Sequence, residues 1–272
     1  MAVPGRSLWD VVEAVAEGRA DLAVAPLENS IEGSVPLTLD LLLRHPGIRV
    51  VGEVILPVAH HLAAGPGVTL AEVREVISHP HALAQCREYL RRRLPEAVQV
   101  PAASTAEAAA EVARRPAGRA AITTRAAVER YGLTLLEEEI QDLRDNVTRF
   151  IVLGRGEVPR RTGRDKTSLV LSTLSDRPGA LYRILREFAV REINLTRIES
   201  RPAKTMLGEY LFFIDFEGHQ EEEPVRAALE AVRPLTSFFR ILGSFPRGGE
   251  AACQEKEDGE KTGGAELGKR SG

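Results

Sequence analysis

The sequence predicts an α/β protein in two folded parts, and three observations predict it. Apolar runs of strand length alternate with segments of helical period from Ser7 to about Gly154. A stretch rich in glycine, proline and charge, "GRGEVPRRTGRDK", then interrupts the pattern. Beyond it the order becomes strand, helix, strand, strand, helix, strand, which suits a four-stranded sheet with two helices on one face.

Each element follows from local pattern. In "SLWDVVEAVAEGRAD" Leu8, Val11, Val12 and Val15 share a helical face, Gly18 suits the helix end, and "LAVAPLE" follows as a strand. "VPLTLDLLLRHPG" reads as a helix and "IRVVGEVILPVAHHLAA" as one or two strands. "TLAEVREVISHPHALAQCREYLRRRLPEA" gives helix, short strand, turn and helix. "VQVPAASTAEAAAEVARRPAGRAAITTRAAVERYG" gives strand, a helix opened at Ser104 or Thr105, a strand near Ala120 to Thr123, and a helix. The alternation implies a mostly parallel sheet covered on both faces. "TSLVLSTL", "ALYRILREFAVREI", "NLTRIESRPA", "GEYLFFIDFEG", "EEPVRAALEAVRPLT" and "SFFRILGSFP" supply the second part. The expected boundaries are 1–154, a linker at 155–165, 166–247, and a disordered tail at 248–272 with little to bury.

Composition narrows the function. With 272 residues, 43% of them hydrophobic, the chain has enough apolar material for genuine cores. A net charge of -3 and a pI near 6.1 give no field that would attract nucleic acid or an anionic membrane. No apolar run approaches the ~20 residues of a membrane span, and no secretory pattern opens the chain, so the cytoplasm is the expected location. Two cysteines, Cys86 and Cys253, indicate neither a disulfide framework nor a thiolate metal site; no metal or cofactor is expected. Of 36 basic residues only five are lysine, so an arginine carries meaning through its neighbours alone.

In parallel α/β sheets, polar side chains at strand carboxyl ends and the following helix starts converge on a crevice. Four stretches place such groups: Glu28, Asn29 and Ser30 in "PLENSIEGS"; Ser78, His79, His81 and Gln85 in "ISHPHALAQC"; Ser104 and Thr105 in "AASTAEA"; Asn146, Thr148 and Arg149 in "DNVTRF". Each has an ordinary structural alternative. Ser104 with Glu107 forms a helix cap, His79 and His81 straddle a turn proline, Asn29 before Ser30 and Gly33 suits a turn, and Arg149 suits an ion pair.

Together these stretches carry a family resemblance. "PLENSIEGSV", "SHPHALAQC", "STAEAA", "YGL" and above all "NVTRF" resemble prephenate dehydratase, and "NLT" with "ESRP" resembles its regulatory ACT domain, over about Ser7 to Arg247. The resemblance implies a two-lobed catalytic domain like a type II periplasmic binding protein, with the cleft between the lobes, followed by a ferredoxin-like βαββαβ ACT domain. It also implies conversion of prephenate to phenylpyruvate, carbon dioxide and water. By resemblance, Thr148 is catalytic with Arg149 and Asn146; Arg149 suits bidentate capture of a carboxylate, and Phe150 supplies an apolar wall. Glu28, Asn29, Ser30, Ser78, His79, Gln85, Ser104 and Thr105 complete the lining. Where the family usually has Gln this chain has His81, and nothing in "MAVPGRSLWDVV" matches the family's opening strand and "GxxGTFS"-like loop. The chain is therefore expected to begin inside the first lobe, through a start placed too late or as a variant lacking part of its site.

In the second part Pro178 and Gly179 alone suit a loop before a helix whose Leu181, Ile184, Leu185 and Phe188 form an apolar stripe. The resemblance implies more: an L-phenylalanine site at a paired ACT interface, with open amides at Gly179, Ala180 and Leu181, Asn194 and Leu195 bordering the ligand, and Glu199, Ser200, Arg201 and Pro202 closing the pocket. It implies feedback inhibition and a homodimer or homotetramer. Activity on arogenate, and a non-catalytic amino-acid sensor of the same architecture, remain alternatives.

Overall fold

The computed structural model of the chain describes residues 3, 5–143, 145–203 and 210–248. In chain order its strands are β1 (Leu22–Asn29), β2 (Gly33–Ser34), β3 (Ile48–Pro57), β4 (His61–Ala64), β5 (Glu75–Ser78), β6 (Val98–Pro101), β7 (Arg119–Thr123), β8 (Thr134–Glu137), β9 (Val147–Arg155), β10 (Asp165–Thr173), β11 (Leu195–Pro202), β12 (Tyr210–Glu217) and β13 (Thr236–Pro246). The helices are α1 (Leu8–Ala16), α2 (Pro36–Arg44), α3 (Pro80–Gln85), α4 (Arg87–Arg93), α5 (Thr105–Arg114), α6 (Arg125–Tyr131), α7 (Ala180–Ala189) and α8 (Glu223–Val232). They fall into two compact units, Met1–Leu56 with Arg149–Gly272, and Pro57–Thr148. The chain therefore passes from one unit to the other at Thr148 and Arg149.

In the Pro57–Thr148 unit a five-stranded sheet has the order β6-β5-β7-β4-β8. Strands β6, β5 and β7 run parallel as expected, whereas β4 pairs antiparallel with both β7 and β8. Side-chain alternation covers both faces: Leu62, Val76 and Ile122 enter one buried cluster, and Ala63, Ile77 and Ala121 the other. Three parallel strands each deliver the chain from a carboxyl end into a helix start, β5 into α3, β6 into α5 and β7 into α6.

The other unit holds two four-stranded sheets, β2-β1-β9-β3 and β11-β12-β10-β13. One face of the second sheet packs on α7 and α8 through Leu169, Leu171, Ile184 and Phe188, as the element order implied. Its other face is not solvated. Val170, Phe213, Leu242 and Phe245 join one core with Val12, Leu27, Val50 and Leu153 of the first sheet and its helices. The expected boundary at 155–165 therefore does not separate two independent cores. Gly243 marks the contact, because a Cβ built there would lie 2.0 Å from the Val50 carbonyl oxygen.

The linker itself is anchored. Asp165 accepts hydrogen bonds from the amides of Thr162 (2.7 Å) and Gly163 (3.0 Å), and the His219 ring meets the Pro159 carbonyl at 3.0 Å. Apart from Gly248, whose amide donates to Glu53 Oε1 at 3.0 Å, the tail expected to be disordered lies outside the described residues.

Candidate functional site

In the Pro57–Thr148 unit, side-chain amides fix the entrance to β9. Buried Asn146 donates through Nδ2 to Gln85 Oε1 at 2.9 Å, and His60 Nε2 reaches the same oxygen at 3.0 Å. The backbone repeats the constraint: the Val58 amide donates to the Asn146 carbonyl (2.8 Å), the Ile140 amide to the His60 carbonyl (2.8 Å), and the Asp142 amide to the Gln85 carbonyl (2.7 Å). Burial holds the His60 pKa below its ordinary value, against the opposing hydrogen bond to Gln85. Thr148, two residues beyond Asn146, is half-buried.

Arg149 belongs to the other unit, and its surroundings are carboxylates of the chain itself. Its Nε donates to Glu53 at 2.7 Å, while Nη1 donates to Asp215 at 2.6 Å and to Glu28 at 3.3 Å. Bidentate capture needs two neighbouring nitrogens with free hydrogens, and two of the three are committed. The third, Nη2, is buried without a hydrogen-bond partner among the described residues. Burial works against the charge, but Asp215, Glu53 and Glu28 outweigh it and raise the pKa above its ordinary value. Lys166 Nζ also pairs with Glu53 at 2.9 Å, Ser168 donates to Asp215 at 2.6 Å, and Arg197 Nε pairs with Glu28 at 3.2 Å.

Other expected site residues divide clearly. Gln85 joins Asn146, and Glu28 joins Arg149 as an ion-pair partner. The Asn29 side chain accepts from the amides of Ile31 (2.9 Å) and Glu32 (3.0 Å), the turn chemistry weighed from sequence, and leaves Ser30 exposed. Ser78 is fully buried and donates to the Ile122 carbonyl at 2.7 Å. His79 caps α3 by accepting from the His81 amide at 3.3 Å. Ser104 caps α5, accepting from the Glu107 amide at 3.0 Å, while Thr105 is half-buried at the first helical position and Phe150 half-buried on β9. Sequence reasoning missed His60, Glu53, Asp215 and Arg197. Only the His60-His61 doublet offered a local signal.

The second sheet carries a concavity of about 990 Å³ lined by Gly179, Ala180, Leu181, Tyr182, Phe212 and Phe238, among others. Gly179 adopts φ +79°, a left-handed conformation that favours glycine. The expectation of three open amides is corrected: the Ala180 amide donates to the Arg177 carbonyl at 3.0 Å. Nor do the remaining residues close this concavity within one chain. Asn194 lines a separate hollow with Arg191 and Glu217. Glu199 accepts from Ser34, and Arg201 donates to the Pro36 carbonyl (2.7 Å) and pairs with Asp40 (2.8 Å), so both turn toward β2 and α2. Leu195 is half-buried; Ser200 and Pro202 are exposed on β11.

Comparison with known proteins bears directly on this arrangement. The family description "Prephenate dehydratase" matches residues 1–158, and "ACT domain" matches residues 167–234. The chain belongs to the prephenate dehydratase family. A prephenate dehydratase of Mycolicibacterium vanbaalenii is 48% identical over 238 residues, 86% of this chain and 75% of that protein. One from Methanocaldococcus jannaschii is 43% identical, over 88% of this chain and 86% of that protein. Among solved structures, the prephenate dehydratase of Arthrobacter aurescens in complex with L-Phe has a TM-score of 0.82 and 42% identity, covering 90% of this chain and 81% of that one. A structure described as "GqqA- a novel type of quorum quenching acylases" has the same TM-score, 0.82, at 33% identity, covering 90% of this chain and 89% of that one. The expected α/β class, the ACT domain and the carbon-oxygen lyase activity of a prephenate dehydratase are thus confirmed. Among the described residues no helix is long and apolar enough to cross a membrane.

Proposed function

We propose that this prephenate dehydratase works through the Thr148 hydroxyl at the fixed entrance to β9. In the reaction the bond from the ring to its carboxylate breaks and releases carbon dioxide. That electron pair moves through the diene, the ring becomes aromatic, and the carbon-oxygen bond to the hydroxyl breaks with its electrons going to oxygen. The departing hydroxide takes a proton to become water. A threonine hydroxyl is too weak an acid to supply that proton outright; it acts as an oriented dipole whose hydrogen bond strengthens as charge grows on the leaving oxygen.

The observation carrying this reading is the immobilised Asn146-Gln85 pair, which sets the backbone two residues before Thr148. Asn146 and Gln85 are assigned to positioning and lining, with Asn29, Ser30, Ser104 and Thr105 supplying polar groups, His79 shaping the α3 turn and Phe150 giving an apolar surface. Arg149 is a positioning residue and Ser78 a structural one. The test is turnover of prephenate and of arogenate by the full chain. Thr148→Ala is expected to cut kcat about 10²–10³-fold, the cost of losing one oxyanion donor. Equal turnover in wild type and variant would refute the role, an arogenate preference would move the substrate assignment, and no turnover of either would leave the sensor reading.

We infer as well that the concavity at Gly179–Tyr182 takes L-phenylalanine and that its occupancy inhibits turnover. The Arthrobacter relative is described in complex with L-Phe, and the apolar and polar lining here suits an amino acid. Strand β11 stands at a sheet edge with Ile198 47% exposed, which supports ACT pairing in a homodimer or homotetramer. Such pairing would bring Asn194 and Leu195 of a second chain to the first chain's concavity. The absence of a membrane-spanning helix among the described residues agrees with a cytoplasmic enzyme. Titration of the chain with L-phenylalanine tests this reading, and inhibition should accompany binding.

A further inference from the structure

His60 lies just before β4, outside every motif that carries the family resemblance, yet only 6% of it is exposed. Its ring makes one hydrogen bond, from Nε2 to Gln85 Oε1 at 3.0 Å. Because that oxygen also accepts from Asn146, it has no hydrogen to give, so Nε2 must carry one. His60 is then the neutral Nε2–H tautomer, and its other nitrogen, Nδ1, is a bare acceptor with no partner among the described residues. The backbone gives the ring no freedom to leave. The His60 amide donates to Gln141 Oε1 at 3.0 Å, and its carbonyl accepts from Ile140 at 2.8 Å.

The geometry points to His60 as a positioning residue for the dehydration: its Nε2–H fixes Gln85, Gln85 fixes Asn146, and Asn146 fixes the backbone that presents Thr148. This deepens, and rests on, the reading of Thr148 as the hydroxyl that meets the leaving oxygen. Protonation would leave the Nε2–H in place but would destabilise this arrangement at the other nitrogen. Adding a proton at Nδ1 would put a charged donor in a buried position facing no acceptor.

Its ionisable surroundings do not relieve that cost. On its own segment His61 opposes a second positive charge and, like His60, has its pKa lowered first by burial. Beyond Gln85 lies Cys86, buried and pushed up to about 12, hence uncharged. Asp142, next to it, accepts from the amides of Glu88 (3.1 Å) and Tyr89 (3.3 Å). Glu138, Glu139 and Arg125 act on His61.

The test uses the full chain with prephenate and two variants. His60→Leu keeps the bulk but removes the donor, and kcat should fall on the order of tenfold to a hundredfold, as for a misplaced catalytic group. His60→Gln restores an N–H at the Nε2 position and should keep kcat within about threefold of wild type. The decisive readout is the pH profile: wild-type kcat should decline on the acid side, below the ordinary imidazole range, and His60→Gln should lose that decline. Wild-type turnover in His60→Leu, a His60→Gln variant as poor as His60→Leu, or an unchanged acid limb in His60→Gln would each overturn the inference. Should His60→Leu fail to fold, His60→Gln and the two pH profiles still decide. Full activity in Thr148→Ala would instead defeat the underlying reading, and this inference with it.

Discussion

Replacing Arg149 with methionine discriminates between a substrate clamp and a structural junction. The change keeps the unbranched length but removes a cation that meets three carboxylates. The Glu53 side chain is 0% exposed and that of Asp215 is 3% exposed, so neither can recruit water in place of the lost guanidinium. Lys166 still faces Glu53 and Ser168 still faces Asp215, but Asp215 retains no cation among these contacts. Breaking a buried pair by removing one partner costs about 3–5 kcal/mol, a large share of the ~5–15 kcal/mol by which domains are stable. With a urea m-value of about 3 kcal/mol per molar, the unfolding midpoint should drop by roughly 1–1.7 M. Urea melts of wild type and variant check this. A midpoint within about 0.3 M of wild type, together with a large rise in KM at unchanged kcat, would refute the junction and restore the substrate contact.

Three further outcomes follow from the same geometry. Ser78→Ala should lose about 1 kcal/mol in denaturant melts through the missing bond to the Ile122 carbonyl, with KM for prephenate unchanged. Gly243→Ala should destabilise by about 1–3 kcal/mol, because its Cβ meets the Val50 backbone, and thermal melting would show it. Cys86, buried with its thiol pushed up to about 12, should resist a thiol reagent in the native protein and react after unfolding. Its raised folded pKa means that any associated stability is present below the unfolded value near 9 and is lost as pH climbs toward 12.

The sequence made the elements legible because their signals are local. Gly18 and Gly132 close helices at positive φ, +80° and +64°, and Ser104 caps α5 through the Glu107 amide. The cluster at Asn146, Thr148 and Arg149 stood out for the same reason, as polar residues in front of an apolar run. The partners of Arg149 were not legible. Glu53 and Asp215 lie 96 and 66 residues away in the chain, and in an arginine-rich sequence no local pattern pairs them. The bond from Ser78 to Ile122 was not legible either, because it needs the neighbouring strand in place. The alternation of β10 hid its packing too: all seven residues from Asp165 to Leu171 are buried, which reads equally as one core or two.

The buried outer face of the second sheet has a consequence for the gene. Ending the coding sequence near Arg155 would strip Phe213 and Phe245 from Leu27, Val50 and Leu153, and the shortened product would present that bare apolar surface to solvent. The ACT domain is part of the enzyme's own foundation, and a gene that lost it would have to rebuild the core it fills.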